Sequence, residues 1–395
     1  MKFFLILSAL LLGLAPAAVQ ADPQRPVIQH SVITSIDTMK ESRDTVTNPL
    51  TDAQMDQDVR LCASLHVTHI TVDTPYDYPD YLQRWVSAVR RTGRHVWFRC
   101  AFNAWEGSYA VPATLTPADY LSRLKAFLRG HPDIFQPGDI LDPLPEPENG
   151  PYWARTSPQG SSWTWKDAPN TTTDEYNRFF LQVSETAQET LRAEGVSGVI
   201  TTIRSTNGYI AARPATLYPA TVARMGRVTT DSYVGQDPAV TPAAALTALQ
   251  AEIEGVEKVR HLPVVLGEFG YSTQGLVSDA QQQAVLGPEL DWLRTLPYLA
   301  GLNYWHGAGY PAPDQYNGAK LFSGTRGAWT LRPAAADLAA LYAKIGSRKI
   351  GSRKIGSRKI GSRKIGSRKR GSQKGGSPKK AAHAHSSAPF PGHSL

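Results

Sequence analysis

The stretch Leu262-Pro-Val-Val-Leu-Gly-Glu-Phe-Gly-Tyr271 sets a short apolar run, Val264-Val265-Leu266, between Pro263 and Gly267 and follows it with a carboxylate, Glu268. A continuous apolar run bounded by turn residues is how a parallel strand buried on both faces reads. In a barrel of parallel strands the C-terminal strand ends line the active site, so this reading delivers Glu268 into a pocket. The flanking glycines let the backbone turn and leave space for a ligand. A glutamate at a strand end also serves simply to cap a helix or pair with an arginine. The rest of the chain separates the two readings.

Working outward, the pattern repeats. Apolar, β-rich runs predict strands over 27–36, 66–72, 95–102, 139–141, 196–203 and 227–230 before this stretch, and 299–305 after it. Helical periodicity falls between them, at 51–65, 78–91, 117–129, 173–194, 216–225, 242–259 and 279–296, with a last helix at 334–344. Strands alternating with helices argue a parallel sheet with helical crossovers. Eight units argue an α/β fold of the closed (β/α)8 TIM-barrel type, placed over residues 22–344, with 262–271 as its seventh strand. No Gly-x-Gly-x-x-Gly follows the first strand and no Walker-type loop occurs, which removes the dinucleotide and nucleotide readings.

Charge is unevenly placed along the 395 residues. Residues 345–395 hold fourteen of the 42 Lys and Arg and none of the 34 Asp and Glu, so a mildly acidic body carries a strongly basic tail. Within it, 345–369 are five identical copies of Ile-Gly-Ser-Arg-Lys. One Ile in five cannot build a core and like charges repel, so a disordered tail is expected. It reads either as a tolerated repeat expansion or as a cationic tether to an anionic cell-surface polymer. No specific nucleic-acid partner is expected.

At the other end, Lys2, the apolar Phe3 to Leu14, Pro16 and the small Ala21 form a secretory signal over 1–21. It predicts a secreted, periplasmic or cell-surface protein with no transmembrane segment after the signal. Cys62 and Cys100 are the only cysteines. Export permits a disulfide between them, while their apolar context favours buried free thiols.

The chemistry lies at the strand ends. The predicted fourth strand runs into Asp142-Pro-Leu-Pro-Glu-Pro-Glu-Asn-Gly150, across the barrel mouth from Glu268. Two carboxyls facing each other over a pocket can divide acid and nucleophile roles in glycosidic cleavage. Trp105, Trp153 and Trp305 fall in strand-end loops or at strand ends, and flat aromatic faces suit the apolar face of a sugar ring. Asp37, Asp73 and Asp231 also close strands, but the barrel histidines form no metal-ligand pattern. No metal and no cofactor is expected, and no Gly-x-Ser-x-Gly elbow supports a serine hydrolase.

The order of Glu146-Pro147 after the fourth strand, Gly267-Glu268-Phe269-Gly270 at the seventh and Tyr304-Trp305 at the eighth resembles the clan A glycoside hydrolases, which include the family 5 cellulases and mannanases. The resemblance spans about residues 27–344. It implies a retaining β-glycosidase acting on a poly- or oligosaccharide, with Glu268 as nucleophile, Glu146 as acid/base and Glu148 as the alternative acid/base. The family's usual motif is Asn-Glu-Pro, and here Pro145 stands in the Asn position. Asn149 is the candidate replacement for its contact with the sugar. The family's strand-two Arg is also missing, and Arg99, at the end of the third strand, is the candidate for its place. Tyr233 falls where clan members hydrogen-bond the nucleophile. The chain is expected to act as a monomer. The altered fourth-strand motif keeps a non-catalytic glycan-binding barrel as the alternative.

Overall fold

In the computed structural model the described residues are 28–103, 115–149, 155–156, 164–165, 173–233, 239–271, 277–308, 318–345 and 349–352. Trp105, Trp153, the predicted signal and most of the basic tail lie outside them. The chain divides at Lys354, and everything below concerns the unit that ends there.

The strands in chain order are β1 (Ile28–Ser31), β2 (Ile33–Asp37), β3 (His69–Val72), β4 (His95–Arg99), β5 (Ile140–Asp142), the two-residue β6 (Arg155–Thr156) and β7 (Thr164–Trp165), β8 (Val228–Ser232), β9 (Val264–Phe269) and β10 (Leu299–Tyr304). Two short strands follow, β11 (Phe322–Thr325) and β12 (Ala328–Leu331), and then β13 (Lys349–Ser352). The helices are α1 (Met39–Ser42), α2 (Asp52–Ser64), α3 (Pro79–Arg91), α4 (Pro117–Gly130), α5 (Thr173–Ala193), α6 (Gly208–Ala211), α7 (Pro219–Met225), α8 (Pro242–Arg260), α9 (Asp279–Leu293) and α10 (Pro333–Ile345).

Seven strands form one parallel sheet in the order β5-β4-β3-β2-β10-β9-β8. The apolar runs that predicted them are buried on both faces. Val264, Val265 and Leu266 of β9 and Ile70 and Val72 of β3 are all inaccessible. Helices open where the sequence supplies caps. Thr51 and Thr116 each close a capping box, and Pro117 and Pro242 occupy first-turn positions where no amide partner is needed.

The predicted fifth strand is not a regular one. Residues 196–203 form no regular strand and meet the sheet over a short stretch, where the Ile200 amide donates to the Asp139 carbonyl and the Leu141 and Gly138 amides donate to the Ile200 and Gly198 carbonyls. Ile200 bridges Ile140 of β5, and further on Asn207 bridges Asp231 of β8. Side chains replace the rest of the ladder. The buried Asp142 carboxylate accepts from the Ser205 amide at 2.6 Å and from Arg204 Nε at 2.9 Å. Arg204 in turn donates to the carbonyls of Leu144 and Phe180. The segment still spans the gap between β5 and β8.

Three other features differ from the sequence reading. The first predicted strand divides at Val32 into β1 and β2, which belong to different sheets. An exposed hairpin, β11–β12, follows the eighth barrel strand. The first repeats of the tail supply β13, paired antiparallel with β1. Cys62 and Cys100 are free, buried thiols.

Glu289 on α9 is fully buried, and neither carboxyl oxygen has a hydrogen-bond partner among the described residues. Burial pushes its pKa up to about 8. The folded state therefore holds this proton more tightly than the unfolded chain does. The stability it contributes is complete below the unfolded value near 4.5 and is lost as pH rises through about 8. Glu289→Met is expected to raise unfolding free energy at pH 9 by about 1–3 kcal/mol. It should also flatten the decline of stability between pH 5 and 8, as read by urea titration. An unchanged pH profile would show that the residue does not titrate in this range.

Candidate active site

Gly267 and Gly270 bracket Glu268 for steric reasons. A Cβ on Gly267 would collide with Asp231 and Ser205, and one on Gly270 with the Trp305 carbonyl. The pairing of β9 with β8 also shifts register here, between Thr230 and Asp231. Such an irregularity re-aims the next side chain. It directs Glu268 into a cavity of about 180 Å³ whose wall also includes Arg99, Asp73, Glu146 and Trp305.

Arg99, at the end of β4, is buried beneath Glu268. Its Nη1 lies 2.5 Å from Glu268 Oε1 and donates to the Gly267 carbonyl at 3.1 Å. The same guanidinium reaches Asp37 and Asp231 at 3.4 Å each. Asn303 of β10 donates to Asp37 and to the Gly267 carbonyl, both at 2.9 Å, and receives a hydrogen bond from Thr71. Four strand ends thus hold one cation and its carboxylates in a fixed frame. Burial pushes the Asp37, Asp73 and Asp231 carboxyls up, against the opposing effect of Arg99. On the other side of the nucleophile candidate, the Tyr233 hydroxyl donates to Glu268 Oε2 at 2.6 Å.

The two glutamates after β5 part company. Glu146 lines the cavity and has φ +42°, a left-handed conformation unusual for a residue in front of proline. Its amide donates to the Ser205 carbonyl at 3.1 Å, which holds the turn. Strain of this kind concentrates at functional sites. The following turn, Pro147–Asn149, rotates Glu148 into the protein interior. There its Oε1 accepts from the Asn207 amide at 2.7 Å and side chain at 2.9 Å, and its Oε2 from the Tyr176 hydroxyl at 3.1 Å. Glu148 is fully buried and is not part of the cavity wall. The Asn149 side chain lies outside the described residues.

Trp305 follows β10 and forms one wall. Its indole Nε1 donates to the Met39 sulfur at 3.4 Å, and its ring stands edge-on to Tyr233 with centroids 5.4 Å apart. The Trp305–His306 peptide is cis. Of the residues expected at the site, Arg99, Glu146, Tyr233, Glu268 and Trp305 converge, and Glu148 does not. Met39, Lys40 and Arg43, which also line the cavity, were not expected. Their position directly after the first barrel strand was the available signal, because strand-end loops face the site.

No protein-family model matches the sequence, and no curated protein matches it. Solved structures do match the fold. A GH5_18 protein from Streptomyces cattleya in complex with GlcNAc superposes with a TM-score of 0.59 at 14% identity, covering 82% of this chain and 83% of that one. A GH5_18 protein from Bifidobacterium longum subsp. longum gives 0.57 at 15% identity over 82% and 81%. A Ruminococcus gnavus beta-glucuronidase gives 0.52 at 13% identity, over 80% of this chain and 50% of that one. The (β/α)8 fold of these glycoside hydrolases is the fold of this chain.

Proposed function

We propose that the protein is a secreted retaining β-glycoside hydrolase that cleaves a poly- or oligosaccharide by double displacement, with no cofactor. The observation that carries the proposal is the meeting of Glu146 and Glu268 in one cavity, from strand ends on opposite sides of the barrel. The Glu268 carboxylate attacks the anomeric carbon while Glu146 gives its proton to the departing glycosidic oxygen, and a glycosyl ester forms on Glu268. Glu146 then takes a proton from water, the water oxygen attacks the same carbon, and the ester bond breaks. Arg99 balances the charge of Glu268 and, with Tyr233, fixes its orientation. Trp305 offers a flat face to the sugar ring. Trp105, Asn149 and Trp153 are the remaining candidates for sugar contact. Secretion rests on the signal over residues 1–21, and the basic tail is a candidate tether to anionic surface polymers.

Glu146→Gln is expected to lower kcat/KM on aryl β-glycosides by about 10²–10⁴-fold, the range of a lost general acid–base. The loss should be smallest for the best leaving groups, and azide should restore turnover by yielding a β-glycosyl azide. Product analysis by NMR should show a retained anomer. An inverted product, or a greater loss in Glu148→Gln than in Glu146→Gln, would overturn the assignment. A protein that binds glycans and cleaves none would be the non-catalytic barrel instead.

A further inference from the structure

The carboxyls around Arg99 differ in what they accept. Glu268 accepts from Arg99 and from the Tyr233 hydroxyl. Asp37 accepts from the Met39 amide at 2.7 Å, from Asn303 at 2.9 Å and from Arg99 at 3.4 Å. Asp231 accepts from Arg99 at 3.4 Å. Asp73, directly after β3, is a fourth carboxyl beside the same guanidinium. It is 2% exposed, and among the described residues neither of its oxygens has a donor. Its backbone is anchored all the same, since its amide donates to Ser42 Oγ at 3.0 Å.

What the Asp73 side chain meets is another carboxyl, that of Asp37, in hydrogen-bond contact. Two carboxylates have no proton to share and repel, whereas an acid and a carboxylate make a strong hydrogen bond. The proton belongs on the partner that accepts from nothing else. Three donors stabilise charge on Asp37, and an ionised Asp73 would be a buried charge without a hydrogen bond. The cations that face Asp73 are Arg99 on β4 and Arg43 after α1, and both oppose its protonation. Burial outweighs them and pushes the Asp73 carboxyl well above the usual carboxylate range. The contact with Asp37 adds to that rise and works the other way on Asp37. The neighbouring Cys100 thiol is pushed up by burial and stays neutral.

Asp37 is where this proton bears on the site. Asp37 and Glu268 share Arg99, which lies 3.4 Å from the one and 2.5 Å from the other. A donor from Asp73 satisfies part of the Asp37 charge and leaves the guanidinium to Glu268. We propose that Asp73 is a positioning residue of the site, a carboxylic acid that donates its proton in a hydrogen bond to Asp37 and thereby keeps Arg99 on the nucleophile. Both Asp73 oxygens are buried, so it acts through Asp37 and not on the sugar. Its effect on the reaction rests on the glycosidase reading above, and its protonation does not.

Asp73→Asn is the informative variant, because an amide is neutral and donates to Asp37 as the acid does. On aryl β-glycosides its kcat/KM should lie within about threefold of the parent value, with the acid limb of the pH profile unmoved. Asp73→Leu is neutral too but has no donor. Its kcat should fall by about 10–100-fold, the worth of a hydrogen bond to a charged group, with KM little changed. Its acid limb should move to higher pH as Glu268 loses part of its cation. Infrared difference spectra of the full chain, parent minus Asp73→Asn in D2O near neutral pD, should show the carbonyl band of a protonated carboxylic acid.

Carboxylate bands alone in that difference would overturn the proposal. So would an Asp73→Asn enzyme that loses as much as Asp73→Leu, or an Asp73→Leu enzyme as active as the parent. The infrared measurement needs no turnover and decides the matter even if Asp73→Leu does not fold. If the parent cleaves no glycoside, the glycosidase reading has failed. The band then decides the protonation of Asp73 by itself, its presence supporting the acid and its absence removing it.

Discussion

Glu268→Gln is expected to abolish hydrolysis of aryl β-glycosides, with kcat falling by about 10⁴–10⁶-fold, the scale on which hydrolases lose a covalent nucleophile. The amide keeps its oxygen for Arg99, now 2.5 Å from Oε1, and its NH2 can donate to the Tyr233 hydroxyl, now 2.6 Å from Oε2, so the fold should survive. An unchanged melting curve beside a lost rate is the expected pair of results. No glycosyl ester should be trapped by a 2-fluoro glycoside in the variant, whereas in the parent protein mass spectrometry should place it on the peptide containing Glu268. Residual activity within tenfold of the parent would remove Glu268 from the reaction.

Arg99→Met is expected to give the largest loss of stability. The guanidinium is buried among Asp37, Asp231 and Glu268, and removing it leaves their charges without compensation. Breaking a buried ion pair in this one-sided way costs about 3–5 kcal/mol. For a domain of this size that lowers Tm by roughly 6–15 °C. The effect depends on pH with a definite sign. Asp37 and Asp231 already have raised pKa values in the folded state, and Arg99 is what opposes the rise. Without it the folded protein takes up more protons still. The stability these groups contribute is complete below their unfolded pKa values near 3.8 and falls as pH climbs through the folded ones. The variant should therefore be hurt less at pH 4.5 than at pH 7.5. A loss under about 1 kcal/mol at pH 7.5, or one independent of pH, would show that Arg99 does not compensate these charges.

The barrel is legible in the sequence because buried parallel strands are written as apolar runs, and Val264-Val265-Leu266 is a plain instance. The fifth element is not, because a short backbone contact around Ile200 and the Arg204 and Asp142 side chains stand in for a full ladder. No pattern of hydrophobicity encodes such a substitution. The hairpin of β11 and β12 escapes for a different reason. Most of its residues are exposed, so it carries little apolar signal.

At the site, Glu268 is legible from its own strand, since glycines on both sides announce the close backbone approach that the structure contains. Glu146 and Glu148 are not separable by composition, as each stands two residues from its twin and directly after a proline. A single left-handed residue and one turn decide between them, and both are matters of backbone geometry. Arg99 could be proposed as a substitute for a missing arginine. That it joins three strand-end carboxylates at once depends on which strands are neighbours in space. Lys40 sits on a helix of four residues and Arg43 directly after it, a stretch too short to show any periodicity.

The pairing of β1 with β13 matches Ile28 with Ser352 and Ser31 with Lys349. The paired tetrapeptide, Lys-Ile-Gly-Ser, is spelled again at 354–357, 359–362 and 364–367. The strand therefore has three spare copies of itself encoded downstream. Loss of one five-residue unit brings the same tetrapeptide to the same distance along the chain from residue 345. Gain of a unit only adds another spare. Copy number in this part of the gene is thereby uncoupled from the seam that joins the two ends of the barrel, and it is free to vary by slippage during replication.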